Sequence, residues 1–267
     1  MAEATGGRER EVAFRGGGFE PGVRRAAPWI AFAVILLAWQ AACSIGLLPA
    51  LLMPSPLQVL AALRDLVLSG TLPQHLGWSL QRIALGWLLG TVIGLACGLA
   101  MGIFSLARSV GIPLVAALFP IPKIALLPLL ILWFGIGEPS KIATIALGVL
   151  FPTAISAYSA IDAVPRNLIR MAQSFGLPAR SILYKVILPG ALPGILSGFR
   201  ISSSIALILL VAAEMIGAEY GIGAFVLAAG NLMQIDQLIA GVTILSLLGL
   251  AISALLGWLE RWLLRWR

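Results

Sequence analysis

Charged residues are scarce in this chain of 267 residues. Only 11% of the residues are Asp, Glu, Lys or Arg, whereas 60% are hydrophobic. Soluble domains usually contain about 25% charged and about 45–50% apolar residues. A water-soluble fold could not bury so much apolar surface, so this composition excludes a soluble domain and predicts an integral membrane protein.

The residues that most metal and catalytic sites use are also nearly absent. His75 is the only histidine, and the two cysteines, Cys43 and Cys97, lie in separate apolar runs without metal-ligand spacing. These counts argue against a metal site and against a histidine-based catalytic triad. The apolar runs also hold no paired mid-membrane acids and no Ser–Lys arrangement, which argues against a membrane-embedded enzyme.

Motifs for nucleotides and nucleic acids are missing as well. No G-x-x-x-x-G-K-[ST] sequence occurs, so we expect that this chain alone neither binds nor hydrolyses ATP. The net charge of +7 forms no basic stripe outside the segments that flank the apolar runs, so nucleic acid is not an expected partner. The sequence therefore predicts no catalytic residue, no metal and no cofactor on this chain.

What the sequence does contain is a series of apolar runs long enough to cross a bilayer. A helix of about 20 residues spans the apolar core of about 30 Å. The runs cover residues 28–48, 84–104, 110–134, 141–160, 191–217 and 239–259. The sequence therefore predicts an all-α membrane protein with six transmembrane helices, in which a flexible tail (1–26) precedes a membrane domain (27–267).

Basic residues are distributed unevenly between the two sides of these runs. If the N-terminus is cytoplasmic, most Lys and Arg residues fall in cytoplasmic segments, and only Arg64, Arg82 and Lys141 fall in outer segments. By the positive-inside rule, this distribution predicts that both termini are cytoplasmic. The segment 161–190 then faces the cytoplasm too.

Two further features concern helix packing. Gly86, Gly90, Gly94 and Gly98 recur at every fourth position of the second run. Small residues at this spacing predict a tightly packed helix pair, and the interface between two copies of the chain is one place for it. The stretch 219–238 is too short and too rich in glycine to span, yet too apolar for a free loop. It predicts a short surface helix or a re-entrant segment.

The segment 161–190 differs from its surroundings because it is basic and twice interrupted. Pro165 can begin a first short helix and Gly176 can end it, whereas Pro178 can begin a second. Pro189 is expected to stop the second helix before the membrane. Short helices are marginal alone in water, so these need a surface to pack against. The residues alone leave two interpretations, helices lying on the lipid interface or a docking surface for a soluble partner.

The same segment resembles the cytoplasmic coupling loop of ATP-binding-cassette (ABC) importer permeases. That loop has the pattern Glu-Ala-Ala, three residues, Gly, nine residues, Ile, one residue, Leu-Pro. Ala172 takes the place of the second alanine and Gly176 that of the glycine, and Val186 stands for the isoleucine before Leu188 and Pro189.

Two positions depart from the pattern. Arg170 stands at the place of the glutamate, and Met171 replaces the first alanine. A salt bridge made by that glutamate is therefore not expected here.

The resemblance extends over residues 50–265. It includes "HLGWSLQRIALGWLLGTVIGLACGLAMG" (75–102), "FPIPKIALLPLLILWFGIGEPSKI" (119–142) and "GFRISSSIALILLVAAEMIG" (198–217). In this order the motifs are similar to the permease subfamily of nitrate, sulfonate, taurine and bicarbonate importers. The resemblance implies the type I ABC importer permease fold, with 161–190 as a helix-break-helix coupling loop.

The resemblance also implies partners and a location. These are a second copy of the chain, two ABC ATPase subunits that bind ATP and Mg²⁺, an extracytoplasmic substrate-binding protein, and the lipid of a bacterial cytoplasmic (inner) membrane. The implied function is ATP-driven import of a small anion, with ATPase closure coupled to alternating access. The implied ATPase-docking residues are Arg170, Ala172, Phe175, Gly176, Leu177, Pro178, Arg180, Leu188 and Pro189.

Polar residues inside the apolar runs suggest a translocation pathway. Ionisable groups inside a membrane are costly and usually face a cavity or the bundle interior. The candidates are Lys123, Arg200, Ser203 and Glu214. A structural role remains open: Lys123 could bind carbonyl groups freed by nearby prolines, and Arg200 could pair with neighbouring serines or with a carboxylate of another helix.

The alternative function is a secondary transporter or a channel that works without an ATPase. Such a protein would be expected to carry ion-coupling carboxylates near the middle of its spans. No Asp or Glu lies at the centre of a predicted span, which favours the ATP-driven importer.

Overall fold

The computed structural model describes residues 26–49 and 52–266, and these residues form helices and no strand. The expected N-terminal tail lies outside the described residues, apart from residue 26. The first helices are α1 (Ala27–Ser44), α2 (Pro56–Leu68), α3 (Thr71–Ile103) and α4 (Ser105–Leu118). A 3₁₀ turn (Lys123–Leu126) then leads into α5 (Leu127–Phe134) and α6 (Glu138–Asp162). The last elements are α7 (Arg166–Ser174), α8 (Ala179–Ile182), a π-helical turn (Leu183–Ile187), α9 (Leu188–Gly217), α10 (Ile222–Asn231) and α11 (Ile235–Leu263).

The predicted class, an all-α membrane protein, is confirmed. Within the described ranges, α1, α3, α6, α11 and the continuous helical stretch Ala179–Gly217 are long and apolar enough to cross a membrane. A sixth candidate is made by α4 together with Lys123–Phe134, two pieces bent by 86°. The count of six therefore holds when the bent pair is taken as one span.

The chain divides into two compact units, Met1–Leu57 and Gln58–Arg267. The first unit contains α1, which is apolar along its length and has Pro28 in its first turn, where the missing N–H breaks no helical hydrogen bond. The second unit contains α2 from Gln58 and the helices that follow it. In this unit we name two ends: the loop end holds residues 161–190, and the distal end is where α6 begins at Glu138.

The third predicted span, 110–134, is not one helix. α4 ends at Leu118, and Pro120 and Pro122 precede the 3₁₀ turn. A proline has no backbone N–H to donate and disfavours helical backbone in the residue before it. Two prolines this close therefore account for the sharp bend, which the apolar run alone did not indicate.

The glycine ladder lies between α3 and α6 of the same chain. A Cβ atom added to Gly86 would lie 2.7 Å from the Ile145 side chain, and one added to Gly90 would lie 2.9 Å from Val149 Cβ. Gly94 and Gly98 likewise face backbone carbonyl groups of α6. The two backbones approach so closely because these positions carry no side chain. The ladder is thus used within the chain rather than between two copies.

The core of the second unit lies between α3, α6 and α9. One buried apolar cluster contains Ile83, Ile145, Val149, Ala206, Leu209 and Leu210. A second cluster lies towards the loop end and contains Ala157, Ala160, Ile161, Val164, Ala191 and Ile195. The three helices are therefore packed together along most of their length, and the loop joins two of them.

The expected helix break at Pro189 was wrong. Leu188 N donates to the carbonyl oxygen of Leu183, five residues earlier, as in a π-helix. This wider turn accommodates the proline ring without ending the helix. The helix therefore runs without interruption from Ala179 to Gly217.

The stretch 219–238 contains the predicted short helix. α10 covers ten residues and packs against α9 and α11. Ile222 and Gly223, at its start, are buried. This placement brings the beginning of α10 to the distal end of α3 and α9.

Candidate functional site

The docking-loop candidate consists of two short helices joined by a tight turn. α7 ends at Ser174, after which Gly176 N donates to Gln173 O (2.9 Å) and Leu177 N donates to Ala172 O (3.2 Å). Gly176 has φ = +70°. These hydrogen bonds and the left-handed glycine form a Schellman motif, which ends a helix and redirects the chain. Glycine adopts this φ without the steric cost that other residues carry.

The inner face of the loop is fixed to the rest of the unit. Ala172 of α7 and Ile182 of α8 are buried. Ile169 and Ile187 pack against the second core cluster, which contains residues of α6 and α9. Residues of both short helices and of the turn that follows are therefore packed against α6 and α9.

The outer face of the loop is apolar but open. Phe175, at the turn, is 78% exposed, and Leu168, Met171 and Leu177 are exposed too. These side chains border a groove of about 390 Å³, which is also lined by Lys185, Val186, Pro189 and Trp266. Apolar side chains left exposed together, in a chain that buries others of the same loop, mark an interaction surface.

The loop also carries exposed cations. Arg170 lies on α7, and Arg180 lies on α8, which follows directly after Pro178. Both arginines are exposed, and within residues 26–49 and 52–266 neither forms a hydrogen bond or an ion pair. The position of the glutamate in the loop pattern thus carries a cation without a partner among the described residues.

A buried polar cluster lies at the distal end. The Arg82 side chain, 2% exposed, donates to Glu138 Oε1 (2.8 Å), Glu138 Oε2 (2.5 Å) and Glu214 Oε1 (2.8 Å). It also donates to the carbonyl oxygen of Tyr220. Lys141 Nζ lies 3.2 Å from Glu138 Oε1, so two cations face two carboxylates. We call Ser79, Arg82, Glu138, Lys141 and Glu214 the Arg82 cluster.

Glu214 is bound on both of its carboxylate oxygens. Ser79 Oγ lies 2.8 Å from Oε1, and Gly223 N donates to Oε2 (2.8 Å). Ser79 Oγ in turn accepts from Ile222 N (2.9 Å). A buried carboxylate needs such contacts to offset its lost hydration. Glu214 therefore fixes the start of α10 against α3 and α9.

Aromatic side chains surround this cluster. Arg82 lies 5.6 Å from the ring centre of Trp78, which stacks on Tyr220. His75 Nδ1 lies 3.0 Å from Gly221 N, and Gly221 has φ = +135°. A side chain at Gly221 would collide with the Glu214 carboxylate, so the glycine permits the close approach of this turn.

Lys123 is held by carbonyl groups at the bend between α4 and α5. Its Nζ donates to the carbonyl oxygens of Leu118 (2.9 Å), Phe119 (2.8 Å) and Ile121 (2.7 Å). It also lies 4.7 Å from the ring centre of Phe151. These contacts match the structural role that the sequence left open for Lys123, in which the ammonium group binds carbonyls freed by prolines.

Arg200 and Ser203 lie nearer the loop end. Arg200 pairs with Glu260 of α11 (2.6 Å), which is the other structural role that the sequence left open. Ser203 Oγ donates to the Arg200 carbonyl (2.9 Å). Ser203 also borders an apolar cavity of about 200 Å³ between α3, α9 and α11, together with Trp87 and Ile252. Ser203 thus binds a backbone carbonyl and also lines a cavity, whereas the charged groups of Lys123, Arg200 and Glu214 are held by the protein contacts described above.

Arg82 was not among the predicted site residues. It precedes the predicted span 84–104 and was therefore assigned to an outer segment, but α3 begins at Thr71 and includes it. The sequence position of Arg82 could have indicated that it belongs to α3. Arg82 lies four residues before Gly86 and therefore lies on the same helix face as the glycine ladder. Its partners Glu138 and Glu214 come from distant parts of the chain and carry no such local signal.

The fold is that of a membrane protein of several spans, with an anchored loop that exposes an apolar surface at one end. Residues 90–266 match the model of the family described as "Binding-protein-dependent transport system inner membrane component". The chain belongs to this family. It is a permease subunit of a binding-protein-dependent ABC importer, and a transport component rather than an enzyme.

Curated relatives agree with this assignment. The chain is 38% identical over 239 residues to the taurine transport system permease protein TauC of Escherichia coli (strain K12), with 88% of this chain and 87% of the relative covered. It is also 38% identical over 235 residues to SsuC of Bacillus subtilis (strain 168), a permease protein provisionally assigned to aliphatic sulfonates, with 88% and 85% covered.

Solved structures share the fold. A chain of the MetNI methionine ABC transporter, from a study of its inward-facing conformations, superposes with a TM-score of 0.63 at 21% identity, covering 73% of this chain and 97% of that one. A chain of an amino acid ABC transporter superposes with a TM-score of 0.58 at 19% identity, covering 70% and 91%. The predicted type I importer permease fold is therefore confirmed.

Proposed function

We propose that this permease imports a small anion and that an organosulfonate such as taurine is the first candidate. The support is the 38% identity, along 88% of this chain, to relatives whose names refer to taurine and to aliphatic sulfonates. Nitrate and bicarbonate are the next candidates, because the motifs resemble a subfamily that serves them. Choice among these anions is assigned mainly to the substrate-binding protein.

In the proposed assembly, two copies of this chain form the membrane part of the importer. Two ATPase subunits bind ATP and Mg²⁺ on the cytoplasmic face, and the substrate-binding protein docks on the opposite face. The distribution of Lys and Arg supports a cytoplasmic location for both termini and for residues 161–190. The proposed location is the inner membrane of a bacterium.

The proposed coupling element is the loop 161–190. The observation that carries it is the combination of an anchored inner face with an exposed apolar outer face around Phe175. The helix Ala179–Gly217 leads from the loop to Glu214 in the Arg82 cluster, so it connects the two ends of the unit. Closure of the ATPase pair would move the loop, and this helix would carry the movement as a rigid body towards the distal end.

The pathway is the least defined part of the proposal. Ser203 is our first candidate for a pathway residue, because it combines a hydroxyl group with a neighbouring cavity. Lys123, Arg200 and Glu214 are secondary candidates, since each has protein partners that a substrate would have to displace.

Uptake into proteoliposomes tests this function. The permease, its ATPase and its binding protein are reconstituted together, and radiolabelled taurine, nitrate or bicarbonate is supplied with the binding protein. We expect uptake that requires ATP on the ATPase side and that is unchanged when ion gradients are dissipated. Uptake driven by an ion gradient without ATP would contradict the proposal and favour the secondary transporter.

A further inference from the structure

Basic side chains outnumber the available carboxylates at the loop end. Among the described residues, the carboxylates of this end are Asp162 and Glu260. Asp162 pairs with Arg108 (2.7 Å) and Glu260 pairs with Arg200 (2.6 Å). The loop itself carries four cations. Arg166 interacts electrostatically with Asp162, whereas Arg170, Arg180 and Lys185 are left without a carboxylate partner in the described part of the chain.

The positive-inside rule explains why cations lie at this end but not how they are arranged. Lys185 lines the groove itself, whereas Arg170 lies on the opposite face of α7 from the groove residues Leu168 and Ala172. Arg180 lies on α8, which follows the exposed turn at Phe175. The loop therefore carries exposed cations on α7, on α8 and at the groove.

A protein that covers this surface also removes water from the cations beside it. A charge that is buried without a counter-charge is destabilising, whereas a complementary carboxylate offsets that cost. An anionic lipid surface could supply the charge as well. The exposed apolar side chains of the loop, however, border a groove of about 390 Å³ beside the turn at Gly176. A concave apolar groove beside a tight turn fits a protein partner better.

We propose that the ATPase surface that receives this loop is acidic, with carboxylates facing Arg170 and Arg180 around an apolar centre that contacts Phe175. This inference rests on the proposed function, in which the loop docks on an ATPase, and it adds the chemistry of that partner. The two arginines then select among ATPase subunits, because a basic surface in their place is repelled.

The test measures the affinity of the permease, in nanodiscs, for the purified ATPase subunit of its own importer over a series of salt concentrations. The test variant is Arg170→Glu combined with Arg180→Glu. The matched control is Arg64→Glu, which makes the same change at an exposed position on α2. We expect the double variant to bind at least about tenfold more weakly at low salt and to lose most of its salt dependence, because opposite charges in contact are replaced by like charges. The control should bind as the unmodified chain does.

A second variant separates this inference from the function on which it rests. Phe175→Ala removes the apolar contact and keeps both arginines. If Phe175→Ala weakens binding and the double charge variant does not, the loop docks on the ATPase but the acidic surface is refuted. If neither variant changes the affinity, the docking function fails as well.

A third measurement tests the lipid alternative. The full permease is reconstituted in bilayers that contain phosphatidylglycerol or in bilayers of phosphatidylcholine alone. One contrary result is that the double variant loses uptake only in phosphatidylglycerol while its affinity for the ATPase is unchanged. In that case the arginines bind anionic lipid, and the proposal is overturned. Restoration of binding by a compensating Glu→Lys or Asp→Lys change on the ATPase supports it.

Discussion

Arg82 and Glu214 lie 132 positions apart in the sequence, and their side chains form a buried ion pair with an Nη1–Oε1 distance of 2.8 Å. The pair joins α3 to α9 at the distal end, and Glu138 adds the beginning of α6. Removing one member of a buried, hydrogen-bonded ion pair leaves the other charge without a partner. The stability of the distal end should therefore depend on this pair.

We predict that Glu214→Ala lowers the free energy of unfolding by about 3–5 kcal/mol, the usual cost of breaking a buried ion pair. The measurement is thermal unfolding of the detergent-solubilised protein, with Glu219→Ala as the control, because Glu219 is exposed and lies five positions away. If Glu214→Ala is as stable as the control but uptake is lost, Glu214 belongs to the pathway and not to a structural cluster.

The glycine ladder gives a second prediction. Gly94→Ala places a methyl group against the Leu150 carbonyl oxygen and Thr153, so it should destabilise the protein by about 1–3 kcal/mol or more. Gly77→Ala is the control on the same helix, since no atom lies within 4 Å of the added Cβ. Alanine there should be neutral or stabilising by up to about 1 kcal/mol, owing to its higher helix propensity. Equal unfolding temperatures for the two variants would show that α3 and α6 are not in close contact.

Lys123 gives a third prediction. Lys123→Met keeps much of the side-chain volume but removes the donor to the carbonyl oxygens of Leu118, Phe119 and Ile121. We expect a loss of about 1.5–3 kcal/mol in the free energy of unfolding, the usual contribution of hydrogen bonds to a charged group. Thermal unfolding and uptake are measured on the same preparation. A variant with normal stability and reduced uptake would place Lys123 in the pathway instead.

The turn at Gly176 gives a fourth prediction. A Cβ atom added at Gly176 meets no atom within 4 Å, so the cost of Gly176→Val comes mainly from the positive φ, about 1–2 kcal/mol. The turn should shift away from its present geometry, and association with the ATPase subunit should weaken while membrane insertion persists. Gly70→Val is the control, because Gly70 has φ = +76°, equally open surroundings and a place far from the loop. Full co-purification of the ATPase with Gly176→Val would contradict the docking role of this turn.

Local patterns predicted several parts of the molecule. Pro165 and Gly176 bracket α7 in the structure as the sequence indicated, since proline and glycine act through their own backbone geometry. The glycine spacing predicted a tight helix pair for the same reason, although periodicity does not identify the partner helix. That partner, α6, required the fold.

Other parts depend on interactions that a local pattern does not contain. Pro189 was expected to end a helix, but a π-helical turn absorbs it. The apolar run 110–134 did not reveal the bend, because hydropathy is insensitive to the two prolines at its centre. Arg82, Glu138 and Glu214 meet only because α3, α6 and α9 pack together, so their pairing follows from tertiary structure.

Crosslinking at Phe175 tests the central claim most directly. A photoreactive phenylalanine analogue is placed at Phe175 of the full importer in nanodiscs, and the same analogue at the exposed distal residue Leu232 serves as the control. We predict a covalent adduct between position 175 and the ATPase subunit, with a yield that changes between the nucleotide-free and the ATP-bound complex, and none from position 232. Adducts of position 175 with lipid alone, in a complex that hydrolyses ATP and imports its substrate, would contradict the assignment of residues 161–190 as the coupling loop.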